Sequence, residues 1–180
     1  MTDITQDYLK ETLDYDPETG VFVWKRRNIS AFSSAAYPER EYPRWNTRYA
    51  GKEAGVPDRR GYIRVKLCGK RHAAHRLAWL WMTGSWPALD IDHANLNKSD
   101  NRWSNLRLAT RSENTANRSP ANNNTTGLKG VYWHKANRKW TAAIGKGGSN
   151  YLGSFDCPAA ASIAYQIAAD NFFGQFARVA

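Results

Sequence analysis

The sequence predicts an α+β fold in two modules. Short apolar patterns switch between the helical period and the strand period along the first two thirds of the chain. The stretch NRSPANNNTTG at residues 117–127 has almost no apolar side chain and reads as a linker. Beyond it, three short alternating segments precede one helix, a minimal α+β unit. A length of 180 residues allows one medium domain or two small ones, and 42% hydrophobic content is enough for real cores.

Elements follow in order. Ile4, Tyr8, Leu9 and Leu13 fall at helical spacing over residues 4–14, and DPETG then turns the chain into a strand from Val21 to Lys25. Residues 28–60, rich in Ser, Pro, Tyr and Arg, read as mostly loop. YIRVKL at 62–67 alternates, with Ile63, Val65 and Leu67 opposite Tyr62, Arg64 and Lys66. RHAAHRLAWLWMTG predicts a helix stopped at Gly84. DIDH ends a strand, LRLAT at 106–110 is a second strand, and a polar helix starts near Arg111. In the C-terminal part GVYWHK, KWTAAI and NYLGSF are strands, and a helix begins at Pro158 with Asp156 as its cap.

Some classes drop out at once. No run approaches the roughly 18 apolar residues of a membrane span, and the acidic start MTDITQDYLKETLDYD is unlike a signal peptide, so a cytoplasmic protein without a membrane partner is expected. Cys68 and Cys157 form no CxxC pair, which predicts two buried free thiols and no structural zinc. The net charge of +10 is lopsided: residues 1–20 hold six acids and one base, leaving +15 on the remainder. A field of that sign attracts polyanions, nucleic acid above all, unless it merely solvates the surface.

The residues able to do chemistry cluster late in the first module. Asp92 and His93 are adjacent at a strand end, Asn105 lies 13 residues after Asp92, and Asn114 lies 9 beyond that. A carboxylate and an amide oxygen are hard ligands that Mg²⁺ accepts while keeping waters, and a neutral imidazole beside such an ion can deprotonate water near pH 7. That set suits hydrolysis of a phosphodiester. His75 is a rival histidine, but its apolar helical surroundings read as packing or orientation, and His72 reads as exposed.

DIDHANLNKSDNRWSNLRLATRSENTANR resembles the strand, loop, strand and helix of the HNH endonucleases, the ββα-metal nucleases, nearest the phage and intron-homing branch whose last motif residue is Asn. YIRVKLCGKRHAAHRLAWLWMTG and LDYDPETGVFVWK share the likeness, which spans about residues 8–118. The resemblance implies that Asp92 and Asn114 ligate one divalent metal, Mg²⁺ or Mn²⁺, that His93 is the general base, and that Asn105 braces the loop holding His93. The paired CxxC motifs of zinc-bearing HNH proteins are missing.

GLKGVYWHKANRKWTAAIGKGGSNYLGSFDCPAAASIAYQIAADNFFGQFARVA resembles the DNA-binding domain of plant ethylene-response factors, the apetala family, in which an exposed sheet face enters the major groove. Alternation selects the same face: Tyr132, His134, Lys139, Thr141 and Tyr151 stand opposite Val131, Trp133, Trp140 and Ile144. Positions usually Arg in that family are here Lys129, Tyr132 and His134, so bidentate base readout is largely missing. Lys146 in the turn reads as a phosphate contact. Arg64, Lys66 and Arg71, with Arg59, Arg60 and Lys70, form a second basic cluster expected to grip phosphates beside the cut.

The expectation is therefore a nuclease module at 1–118, a linker at 119–126 and a DNA-binding module at 127–180. Double-stranded DNA is the partner, and the chain acts as a monomer or transient dimer that nicks one strand per active site. The competing class is a non-catalytic DNA-binding regulator on the same scaffold.

Overall fold

The computed structural model describes residues 4–120, 124–145 and 149–178. Two units divide between Leu108 and Ala109. In the first, Thr5 caps α1 (Gln6–Thr12), its Oγ1 accepting from the Tyr8 N–H at 3.2 Å. The helix stops at Thr12, short of the expected residue 14. Leu13 and Tyr15 alternate with Asp14 and Asp16, so the period changes to 2 and the chain enters β1 (Leu13–Asp16), paired antiparallel with β2 (Val21–Trp24). Asp16 shapes the turn between them by accepting from the Glu18 N–H at 2.9 Å and the Thr19 hydroxyl at 2.8 Å.

The loop expected over 28–60 contains a helix instead, α2 (Pro38–Tyr49), 12 residues long. Pro38 suits its first turn, whereas the interior Pro43 and the lack of an aliphatic stripe hid it from pattern reading. Rings and an amide hold it. Trp45 meets Trp24 at 5.5 Å and Phe32 at 6.2 Å, under the Arg27 guanidinium at 4.2 Å. Asn46 accepts from the Arg27 N–H at 2.9 Å and donates to the Arg27 carbonyl at 3.0 Å.

β3 (Val56–Pro57), β4 (Ile63–Leu67) and β5 (Lys70–Ala73) form one antiparallel sheet. Cys68 and Gly69, at φ 48° and 77°, make the two-residue turn between β4 and β5. This hairpin claims Arg71 and His72 as strand, correcting the expected helix start, and α3 (Ala74–Thr83) follows and ends at Gly84. Leu77 and Leu80 of α3 pack with Leu9, Leu13, Phe22, Val65 and Leu67 in the core. β6 (Asp90–His93) pairs with β7 (Leu106–Ala109), and Ile91 and Leu106 enter that core.

The second unit opens with α4 (Arg111–Ala116). Thr110 Oγ1 accepts from the Glu113 N–H at 3.3 Å while the Glu113 carboxylate accepts from the Thr110 N–H at 2.7 Å, a reciprocal cap. β8 (Val131–His134), β9 (Lys139–Gly145) and β10 (Ser149–Phe155) form an antiparallel meander, covered on one face by α5 (Pro158–Phe173) through Ala161, Tyr165, Ala169 and Phe173. Ala116 joins the cluster of Tyr165, Phe173 and Phe176, so α4 goes with the C-terminal unit and the division precedes the Asn-rich stretch. Asp156 does not cap α5. It pairs with Lys139 at 2.6 Å, and Cys157 occupies the cap position without a side-chain capping hydrogen bond. Both cysteines are free, and both are exposed rather than buried. Among the described residues no helix is long and apolar enough to cross a membrane.

Candidate active site

β6 delivers Asp92 and His93, only 5% and 4% exposed, into the loop that returns to β7. Asn105 ties that loop at both ends. Its Oδ1 accepts from the Asn95 N–H at 3.0 Å, its Nδ2 donates to the Asp100 carbonyl at 2.8 Å, and its own carbonyl accepts from the Ala94 N–H at 3.0 Å. Inside the loop Asn97 Oδ1 accepts from the Ser99 N–H at 3.1 Å, a local turn of the kind that short polar side chains build. The Arg102 guanidinium reaches the Asp100 carboxylate at 2.9 and 2.6 Å and, as a hydrogen-bond donor, holds its pKa down to about 2.

Asn101 is central here, although the sequence does not set it apart from the other asparagines of the loop. It is 2% exposed; its Oδ1 lies 3.3 Å from His93 Nε2, and its Nδ2 donates to the Ser99 carbonyl at 3.2 Å. An amide oxygen only accepts, so Nε2 carries the proton and Nδ1 is the basic nitrogen of the ring. Burial pushes the His93 pKa below the ordinary histidine value, opposed by the Asn101 hydrogen bond and the charge of Asp92. The ring is therefore neutral near pH 7, the form that a base requires.

The opening hairpin buttresses this loop. The Tyr15 hydroxyl donates to the Asn101 carbonyl at 2.7 Å, and the Trp103 N–H donates to the Pro17 carbonyl at 2.9 Å. Gly20 has φ 75°, and a Cβ there would stand 2.3 Å from the Arg102 nitrogen, so only glycine fits. Asp92 has a further partner that the strand pattern did not mark: Arg107 on β7 donates to Oδ2 from Nε at 2.9 Å and from Nη2 at 2.8 Å.

Residues 72–116 match the model of a family described as HNH endonuclease. Protein 3.8 of Escherichia phage T7 is 32% identical over 87 residues, 48% of this chain and 69% of the phage protein. The chain belongs to the family of phage T7 protein 3.8. It carries an HNH endonuclease domain at 72–116, which contains Asp92, His93, Asn105 and Asn114. No solved structure matches.

In the HNH domain His75 lies against the site. Its ring is 5.1 Å from that of His93 and 5.4 Å from Tyr62, its buried Nδ1 has no hydrogen-bond partner among the described residues, and burial depresses its pKa to about 3. His72 is half-buried beside Trp86 rather than exposed. Asn114 is a half-buried residue of α4 whose N–H donates to the Thr110 carbonyl at 2.9 Å. Among the described residues no cluster of three or more His, Cys, Asp or Glu could hold a metal ion.

The expected DNA contacts are unevenly placed. Lys66 and Arg71 are exposed and directly opposed across β4 and β5, a like-charge pair that destabilises a sheet unless an anion joins it. Arg64 instead reaches Asp58 at 2.8 Å. On the C-terminal sheet Tyr132 pairs in register with Thr141 and His134 with Lys139, and Tyr132 and Tyr151 are well exposed. Thr141 shares their face but is buried beside Ser154, to which the Tyr151 hydroxyl donates at 2.9 Å. Trp133, expected on the covered face, is exposed although Val131 on the same strand is buried, and its ring meets that of Trp140 edge-on at 5.3 Å. Lys139 is paired with Asp156, and His134 Nδ1 accepts from the Asn137 N–H at 3.3 Å. The Lys129 ammonium turns to the carbonyls of Ala116 and Arg118 at the end of α4, and burial lowers its pKa to about 8. Lys146 lies outside the described residues.

Proposed function

We propose that this chain is a metal-dependent endodeoxyribonuclease of the phage or homing type. It hydrolyses duplex DNA, one strand per active site, near a site held by residues 127–180 acting as an ethylene-response-factor-like DNA-binding module. The observation that carries this reading is the buried Asp92–His93 pair, with the imidazole fixed through Nε2 by Asn101 inside a loop that Asn105 closes.

The donor chemistry fits a hard divalent cation, Mg²⁺ or Mn²⁺: Asp92 offers a buried carboxylate, and Asn114 an amide oxygen on a short helix. Such a cation, when bound, stabilises negative charge on the phosphate and on the leaving 3′ oxygen. His93 Nδ1 takes the proton of the attacking water. Asn101 keeps the ring aimed by accepting from Nε2–H, and it continues to accept once the ring is charged. Arg107 fixes the orientation of the Asp92 carboxylate. Lys66 and Arg71 hold phosphates beside the cut, while Tyr132 and Tyr151 present rings to the duplex from the second module.

One observation favours a second reading, a DNA-binding regulator without activity: the Asp92 charge is already matched by Arg107. Supercoiled DNA incubated with the chain and Mg²⁺ separates the two. Nicking that EDTA abolishes and His93→Ala strongly slows supports the nuclease; binding with no nicking by the unaltered chain supports the regulator.

A further inference from the structure

α2 carries three arginines that neither the fold nor the active site uses. Arg40, Arg44 and Arg48 recur every fourth residue, and all three are exposed. Their arc lies away from the side clamped by Asn46 and Trp45, which the Arg27 backbone and the Trp24 ring hold in place. Like charges at this spacing destabilise a helix, and among the described residues none of the three joins an ion pair. The helix also carries Glu39 and Glu41, neither of which forms an ion pair with the stripe among the described residues, and three arginines against two glutamates leave it at +1. Arg40 stands over the Tyr37 ring at 5.5 Å and Arg48 over Tyr49 at 5.3 Å, so two of the guanidinium groups are already ordered outside the core.

We infer that α2 is a second DNA-contact surface, which lays Arg40, Arg44 and Arg48 along the phosphates of one strand of the duplex. At about 1.5 Å of rise per residue the stripe extends roughly 12 Å, which at about 3.4 Å of duplex axis per phosphate spans three or four phosphates. Guanidinium groups suit phosphate oxygens, and contacts of this kind fix position without reading sequence. The inference rests on the duplex-DNA reading of the previous section, but it concerns residues remote in sequence from the HNH motif.

The test compares the full chain with its Arg40→Gln/Arg44→Gln/Arg48→Gln variant, both checked for folding by circular dichroism. Binding to a fluorescein-labelled 30-base-pair duplex is followed in EDTA between 50 and 300 mM NaCl. Each lost phosphate contact removes about 0.9 from the slope of log K against log [NaCl], so the variant's slope is expected to be shallower by about 2.7. The triple Arg→Lys variant, which keeps the charge, retains most of the slope. An unchanged slope in the Gln variant, while the unaltered chain binds duplex, overturns the α2 surface and leaves the nuclease reading standing. Failure of the unaltered chain to bind duplex overturns both, and a slope change seen only with single-stranded RNA names a different partner and also overturns the inference.

Discussion

Asn101→Asp changes one atom type at the centre of the site and tests the role of its neighbour. The Asn101 oxygen lies 3.3 Å from His93 Nε2, and both groups are buried. A full negative charge at that 3.3 Å separation interacts with an imidazolium by roughly 5 kcal/mol at an effective dielectric of about 20, an upper bound because the new carboxylate is itself desolvated. A neighbouring opposite charge commonly shifts a pKa by about 1 to 3 units. The direction is fixed: an anion favours the charged ring, so the pKa of His93 rises and its base form appears only at higher pH. In the native protein burial places that pKa below the ordinary value of about 6.5, so the acid limb of the pH–rate profile lies below 6.5. Initial rates of supercoiled-DNA nicking from pH 5 to 9 are expected to show this limb moved up by about 1 to 3 units in Asn101→Asp, with much of the rate recovered above it. A limb that stays in place would refute the assignment of His93 as the base aimed by Asn101.

Two further outcomes follow from the surroundings of that pair. Gly20→Ala forces a Cβ to 2.3 Å from the Arg102 backbone nitrogen at φ 75°; backbone strain of about 1–2 kcal/mol and two weakened hydrogen bonds of about 1 kcal/mol each should lower stability by about 3–4 kcal/mol in urea melts, with loss of nicking. A variant as stable as the parent would show that the hairpin does not seat the loop. His75, held at a pKa of about 3, stays neutral in the folded chain while the unfolded chain takes a proton below about 6.5, so stability is complete above that pH and falls as acid is added. By pH 5 this amounts to about 2 kcal/mol, and His75→Phe should lack that share of the difference between pH 7 and pH 5; an identical pH dependence in the variant contradicts a buried, neutral His75.

The sequence made parts of this arrangement plain and concealed others for physical reasons. Alternation in β4 placed Val65 and Leu67 in the core, because a half-buried strand must segregate its faces. Asp92, His93 and Asn105 stood out through their spacing, and the turn-forming asparagines between them mark a loop by local hydrogen bonding alone. Asn101 is one of four asparagines in that loop, and only the long-range contacts with His93 and Tyr15 distinguish it from its neighbours. Arg107 looked like an ordinary polar position because its carboxylate partner lies 15 residues earlier, on the other strand. α2 escaped because aromatic rings and an amide clamp, rather than an aliphatic stripe, hold a helix interrupted by Pro43. Charge composition indicated a polyanion, but counting cations could not separate Lys66 and Arg71, both exposed, from Arg64 and Lys139, both paired within the chain.

Restoring a lost base from solution tests the catalytic role of His93 most directly. Single-turnover nicking by His93→Ala, in Mg²⁺ at pH 7.5 and with folding confirmed by circular dichroism, is expected to be slower than that of the parent by about 10²- to 10⁴-fold. Added imidazole should restore part of the rate in proportion to its neutral fraction. A variant that cuts at the parental rate, or whose residual cutting is insensitive to imidazole, would contradict proton transfer to His93.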